Sequence, residues 1–289
     1  MQYHVDGSLV DADAATLPVD DRGCRFGDAV GEPLRVDDGT PVAWDAHVDR
    51  LFDACDALGF DPGVDGTELR TRVEDTLAAN ALGDAFVRLS ITRGCGRGAA
   101  AGPLATSRLR PPPDPDPTVV VTVESLSLDR TAVTLQTVRT RPIRPVAVPA
   151  APVTHNRLDA VRAQAELRTN APPDDDPAAE ALLLADGHVV GGTASDPVFV
   201  ADDALRLPSL DEWPARTATR ALVRDLAAAE GIPVVEGAYT PADFRAADEA
   251  FVAEPTAGVR PVARIDGVDV GGGPVTRLLA RLFDERIAG

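Results

Sequence analysis

Four histidines, His4, His47, His155 and His188, are the side chains best suited to move protons or hold a metal. None forms an HxxxH pair and no HExxH occurs, so no metal site is expected. Cys24, Cys55 and Cys95 are too scattered for a CxxC site or a disulfide framework. Gly94-Cys95-Gly96-Arg97-Gly98 carries the glycines of a phosphate loop. It lacks the lysine such loops use and misses the dinucleotide-binding spacing, so it reads as a flexible surface turn. There is no GxSxG nucleophile elbow. The cations are the unusual chemistry: all 28 are arginine, so the chain has no ε-amine. Guanidinium groups cannot form a Schiff base, but they are permanently charged forks for phosphate and carboxylate.

The elements that must position these groups follow from periodicity. Val48, Leu51, Phe52, Cys55 and Leu58 recur at helical spacing over 45–58, which puts Arg50 one turn after His47 on one face. Leu69, Val73 and Leu77 mark a second helix. Short strands flank a turn at Asp6-Gly7, an apolar stretch covers 29–36, and residues 85–92 alternate with period two, Val87, Leu89 and Ile91 on one side. The proline-rich stretch 111–117 reads as a linker between a domain over 1–110 and another over 118–289. The second part shows a strand at 118–123, a helix at 158–168, an acidic loop holding Asp174, Asp175 and Asp176, and several strands within 181–207. Helices at 218–229 and 274–287 follow. Strands in a run predict an α+β chain with a mixed, barrel-like sheet rather than a doubly wound one. Taken locally, Thr217 and Thr219 are plain helix N-caps.

A set of spaced segments carries a resemblance. Asp21-Arg22-Gly23-Cys24-Arg25-Phe26-Gly27-Asp28, Leu34-Arg35-Val36 and His47-Val48-Asp49-Arg50-Leu51 come first. Thr92-Arg93-Gly94, His155-Asn156-Arg157-Leu158, Glu180-Ala181-Leu182-Leu183-Leu184, Thr219-Arg220 and a stretch from Phe251 through Thr256-Ala257-Gly258-Val259-Arg260-Pro261-Val262 follow in order. Together they resemble the class IV pyridoxal-phosphate enzymes, which include branched-chain and D-amino-acid aminotransferases and 4-amino-4-deoxychorismate lyase. The resemblance spans nearly the whole chain. It implies a small α/β N-terminal domain, a C-terminal pseudo-barrel domain, a pyridoxal phosphate cofactor and a homodimer. It also implies that Arg50, Ala218, Thr219, Thr256 and Ala257 form a phosphate cup, and that Arg93, Arg97 and Arg157 face a substrate. A helix N-terminus with threonine hydroxyls suits an anion.

The chain departs from that family where the chemistry is done. The lysine expected three or four residues before Asn156 is replaced by Val153 and Pro152, and no other lysine exists. The α-amino group of Met1 is expected to be solvated and remote. Gly191 takes the place of the glutamate that anchors the pyridine nitrogen. Gly31-Glu32-Pro33 replaces a common Phe-Glu-Thr, and Arg157 replaces a common Tyr, as the lyase branch also does. A lysine in this family exchanges the Schiff base and moves protons, and positioned acid–base catalysis alone is worth about 10²–10⁴-fold. Pyridoxal phosphate would therefore bind noncovalently through Arg50 and the threonine turns, with His155 or a water as base.

Composition bounds the remaining classes. A net charge of −18 without any basic stripe excludes a nucleic-acid partner and leaves a small-molecule substrate or anionic metabolite. An acidic, lysine-free surface suits molar salt, where the Debye length falls to about 3 Å. No apolar run suits a membrane span, no leader is visible at the N-terminus, and scattered cysteines fit a reducing cytoplasm. Three functions stay open: a family enzyme working without lysine, a catalytically silent paralogue that binds a ligand or a partner, and a relative turned to chemistry without the cofactor.

Overall fold

The protein is described from a computed structural model, in residues 1–96, 109–148, 153–171, 176–209, 213 and 217–288. Two compact units appear: Met1–Leu126 with Val153–Asn156, and Ser127–Pro152 with Arg157–Gly289.

In the first unit, β1 (Gln2–Val5), β2 (Ser8–Asp11), β3 (Ala29–Asp37), β4 (Thr40–Pro41), β5 (Ala85–Thr92) and β6 (Thr118–Ser125) form one sheet, ordered β2-β1-β6-β5-β3-β4. All its pairings are antiparallel. Asp6 and Gly7 both take positive φ, 45° and 84°, making the two-residue turn that Asp-Gly favours between β1 and β2. Helix α1 (Arg22–Phe26) precedes β3, and α2 (Trp44–Leu58) and α3 (Gly66–Ala79) cover one face of the sheet. Register explains that face: Val30 lies opposite Ile91 and Leu34 opposite Val87, all buried, as are Leu51, Leu69, Val73 and Leu77 of the helices. Both helices and the alternation over 85–92 appear where the periodicity puts them.

The domain boundary needs correcting. Residues 118–123, assigned above to the second domain, lie in β6, which pairs with β5 from Ala85–Ser125 to Thr92–Thr118 and also with β1. The first unit therefore runs to Leu126 and contains the stretch 111–117. Prolines break elements, but they carry no information on which sheet edge the next strand satisfies.

The second unit holds β7 (Val133–Thr137), β8 (Glu180–Ala185), β9 (His188–Gly191), β10 (Asp196–Ala201), β11 (Ala204–Pro208), β12 (Val234–Gly237), β13 (Glu249–Glu254), β14 (Gly258–Ile265) and β15 (Val268–Asp269). Its helices are α4 (Leu158–Asn170), α5 (Thr219–Ala229), α6 (Pro241–Arg245) and α7 (Pro274–Ala288). The sheet order is β12-β11-β10-β13-β14-β7-β8-β9, with β15 on β14. Pairings β11–β12, β14–β7 and β7–β8 are parallel and the rest antiparallel, as a mixed sheet requires. Successive side chains enter different cores. Leu182, Leu184, Phe199 and Val252 pack on Phe244, whereas Val198, Val200, Phe251 and Ala253 pack with Val223, Leu279 and Phe283 of α5 and α7. Ala181 and Leu183 meet Ala163 and Leu167 of α4. With both faces buried, the strands read as continuous apolar runs and the sheet curls into a half-barrel. Among the described residues no helix is long and apolar enough to cross a membrane.

Candidate active site

In the first unit the His47–Arg50 face finds a buried carboxylate. Glu32 of β3, 2% exposed, accepts from His47 Nδ1 at 2.9 Å and Arg50 Nε at 3.1 Å. The i, i+3 spacing thus places both α2 side chains on one acceptor. Arg50 is tethered by its Nε edge and remains partly exposed.

The segment carrying the missing lysine returns to this unit as a short antiparallel bridge. Gly31 N donates to Val153 O at 2.6 Å, His155 N donates to Ala29 O at 2.9 Å, and Thr154 bridges Val30. Asn156 Nδ2 donates to Gly27 O at 2.9 Å. The His155 ring lies over Gly31: a Cβ there would sit 2.9 Å from Nε2, so residue 31 must lack a side chain while the ring keeps this position. Burial first, and the charge of Arg88 second, push the His155 pKa down to about 4, so the imidazole is neutral near pH 7; Asp21 opposes them weakly.

Arg93, expected above to face a substrate, is a structural strut. It is 4% exposed, and its guanidinium donates to Asp28 at 2.9 Å and to the last carbonyls of α2, Leu58 at 2.6 Å and Gly59 at 2.9 Å. Its charge also lies 4.7 Å from the centre of the Phe60 ring. Cations suit a helix C-terminus, and here the carbonyls at that end of α2 take both terminal nitrogens of the guanidinium. Arg22 Nε shares the same Asp28 oxygen at 2.7 Å. Arg97 lies outside the described residues.

In the second unit Glu180, 8% exposed at the start of β8, folds the turn that follows β9. It accepts from Thr193 N at 2.6 Å, Ala194 N at 3.1 Å, Ser195 Oγ at 2.9 Å and the Thr193 hydroxyl. Arg157 Nη2 donates to Thr193 O, which ties this cation to the same turn. Gly191, where the resemblance expects a glutamate, takes φ +148°, a conformation open to glycine.

The second-unit members of the expected cup share one end of the sheet. Asp196, 5% exposed, accepts from Thr217 N at 2.6 Å and Thr217 Oγ1 at 2.8 Å, which docks the start of α5. Asp196 is paired with Ala253 of β13, two residues before the turn 255–257 between β13 and β14. Ala218 and Thr219 are buried at the helix start, Ala257 is buried in the turn, and Thr256 beside it is half-buried. The Thr217 hydroxyl is bound to Asp196, and Ala218 makes no side-chain cap bond, so the local N-cap reading fails for Thr217. Next to this turn, burial foremost raises the pKa of Glu254; Glu180 adds to the shift and Arg260 opposes it.

A small antiparallel sheet unit joined to a curled, helix-coated mixed sheet is the fold of class IV aminotransferases. The profile of the amino-transferase class IV family matches residues 29–265, and the chain belongs to that family. It is 31% identical, across 99% of its own length and 96% of the relative's, to a provisionally named branched-chain-amino-acid aminotransferase of Methanocaldococcus jannaschii. The solved branched-chain aminotransferase of Thermoproteus uzoniensis with norvaline matches at TM-score 0.86 and 25% identity, covering 100% of this chain and 95% of that one. The 4-amino-4-deoxychorismate lyase of Pseudomonas aeruginosa matches at TM-score 0.80 and 29% identity, covering 98% of each.

Pyridoxal phosphate, the cofactor implied by the resemblance, does not fit these residues as a covalent group. Val153 is 5% exposed and offers an isopropyl group where an amine is needed. Gly191 offers no acid to a ring nitrogen. Of the residues the resemblance assigns to a phosphate cup, Arg50 lies in the first unit and Thr219 and Thr256 in the second. Among the described residues no group of three or more His, Cys, Asp or Glu is arranged to hold a metal. Glu180 and Asp196, which build the turns, escaped sequence reasoning except as part of a motif or as surface acids. Their partners lie 13 to 21 residues away, and no local pattern marks them.

Proposed function

We propose that this chain is a class IV aminotransferase homologue, most similar to 4-amino-4-deoxychorismate lyase or an amino-acid aminotransferase, that has lost Schiff-base catalysis. It serves as a homodimeric, noncovalent binder of pyridoxal phosphate or a related anionic metabolite. The observation that carries the reading is Val153, buried where the amine belongs in a chain with no lysine. Gly191 supports it, since a bound ring would find no carboxylate to hold its nitrogen protonated. Arg50 supports the ligand site: its partly exposed guanidinium, held by buried Glu32, places a permanent positive charge on this face of α2. Arg157 and the short Thr92-Arg93-Gly94 turn favour the lyase branch as the ancestor.

The test is calorimetric titration of pyridoxal phosphate into wild type and Arg50→Ala in molar KCl. Borohydride treatment, peptide mass analysis and an assay for pyruvate release from aminodeoxychorismate follow on the same samples. The expected result is saturable binding weakened at least about tenfold by Arg50→Ala, no reduced pyridoxyl adduct and no turnover. A site-specific adduct, or turnover abolished by His155→Gln, would instead make this an enzyme that works without lysine.

A further inference from the structure

The second unit carries a cleft of about 480 Å³, within the range of about 300–1,000 Å³ that holds small ligands, which the site above does not use. Val133 and Leu135 of β7 enter the core around Phe244, so Thr134 and Gln136 point to the other face, the one α4 covers through Ala163 and Leu167. The cleft is lined by Gln136, by Arg264 near the end of β14, by Asn170 where α4 ends, and by Asp176 and Asp266. Arg264 lies six residues beyond Gly258 along β14, about 20 Å from the turn 255–257 at the rise of a strand. The charges in the cleft are sorted. Arg264 Nε donates to Asp269 at 2.9 Å, and its two terminal nitrogens make no hydrogen bond among the described residues. Asp266 is fully engaged, accepting from Thr137 N at 2.6 Å, Thr137 Oγ1 at 2.9 Å and Arg245 Nη1 at 2.6 Å. Asp176 is exposed and has no ion pair among the described residues, and the carbonyl end of α4 adds partial negative charge at Asn170. The side-chain amides of Gln136 and Asn170 have no hydrogen-bond partner there either.

We propose that this cleft binds a linear zwitterion, an amino acid whose ammonium and carboxylate are separated by several methylenes. The terminal nitrogens of Arg264 take the carboxylate as a fork, and Asp176 with the carbonyl end of α4 takes the ammonium. Gln136 and Asn170 supply donors and acceptors to whichever polar group lies beside them. Opposite charges select the class: a simple anion would meet Arg264 but be repelled by Asp176 and Asp269, and a simple cation would meet the reverse. Length follows from register. Arg264 is paired with Thr134 across β14–β7 and Leu135 with Glu180 across β7–β8, so β14 and β8 stand two strand intervals apart, about 10 Å, with Asp176 on the chain entering β8. An amino acid with both charges on one carbon cannot reach both ends. The inference does not rest on the Arg50 site. A chain that fails to hold pyridoxal phosphate still takes or refuses a zwitterion at Arg264.

The experiment titrates 6-aminohexanoate into the full chain in molar KCl and follows binding by calorimetry. Hexanoate, which lacks the ammonium, hexylamine, which lacks the carboxylate, and glycine, which is too short, are titrated in parallel. Expected are saturable binding of 6-aminohexanoate and affinities at least about tenfold weaker for all three controls. Arg264→Gln and Asp176→Asn change exposed side chains, so both variants are expected to fold, and each should weaken 6-aminohexanoate at least about tenfold. Arg50→Ala should leave it unchanged. Absence of saturable binding, equal binding of hexanoate, hexylamine or glycine, or unchanged affinity in both the Arg264 and Asp176 variants would each overturn the proposal. Binding lost in Arg50→Ala and kept in Arg264→Gln would overturn it too, by moving the ligand to the Arg50 site.

Discussion

At position 153 an isopropyl group stands in the backbone bridge that an amine would need, and two residues on an imidazole lies against a glycine. The two features belong together. Val153 O and His155 N are both tied to β3, so the backbone of this segment is held by sheet hydrogen bonds. His155 then has a measurable signature. Its folded pKa of about 4 lies below the ordinary histidine value, so its contribution to stability is present above about pH 6.5 and is lost as the pH falls toward 4. Between those limits the unfolded chain binds the proton and the folded one resists it. The charged groups felt by the ring are Arg88, which resists protonation, and Asp21, which weakly favours it. Thermal melts of wild type and His155→Gln should diverge over that window by roughly 2 kcal/mol, wild type losing more on acidification. Parallel curves from pH 7 to 4 would show that the ring is solvated.

Arg93 ties two elements together, since one guanidinium bridges Asp28 before β3 and the C-terminal carbonyls of α2. Arg93→Ala leaves Asp28 short of a cation and removes donors from a buried helix end, so denaturant unfolding should show a loss of about 3 kcal/mol or more. Arg25→Ala, which breaks an exposed pair with Asp20, should cost under about 1 kcal/mol. Equal losses in the two variants would show that Arg93 does not tie these elements together. The sequence reading turned Arg93 toward a substrate, and an arginine in a sequence does not reveal whether its fork meets a ligand or a helix end. Elements with one buried face were legible, because β5 and α2 show their periods. The membership of β6 was not, since strand pairing is set by distant edges. The runs in β8 and β10 were visible as strands, but the three cores they feed are a property of the curled sheet. Motif order across nearly the whole chain did carry the family, with Arg50 and His47 on one face. The cleft at Arg264 exists only once the fold brings β14, β7 and the end of α4 together.

At the scale of the whole molecule, 46 acidic side chains against 28 arginines must be held in one folded chain. The buried acids are compensated: Glu32, Glu180 and Asp196 accept from the donors given above, and Glu249 accepts from Val275 N and from Thr276 N and Oγ1. The excess charge therefore lies on the surface, where exposed pairs contribute little and like-charge repulsion accumulates. Screening shortens from a Debye length of about 10 Å at 0.1 M salt to about 3 Å at 1 M, so added KCl should raise the unfolding midpoint steeply at first and then level off near molar concentration. Exclusion of salt from the protein surface would instead raise the midpoint without levelling, and a neutral osmolyte such as sucrose would reproduce it. Thermal melts in KCl and in sucrose distinguish the two. A midpoint unmoved by KCl between those concentrations would mean that the acidic surface is not the source of any salt requirement. A midpoint that levels off in KCl, but climbs only gradually in sucrose, would assign the stabilisation to screening of the net charge.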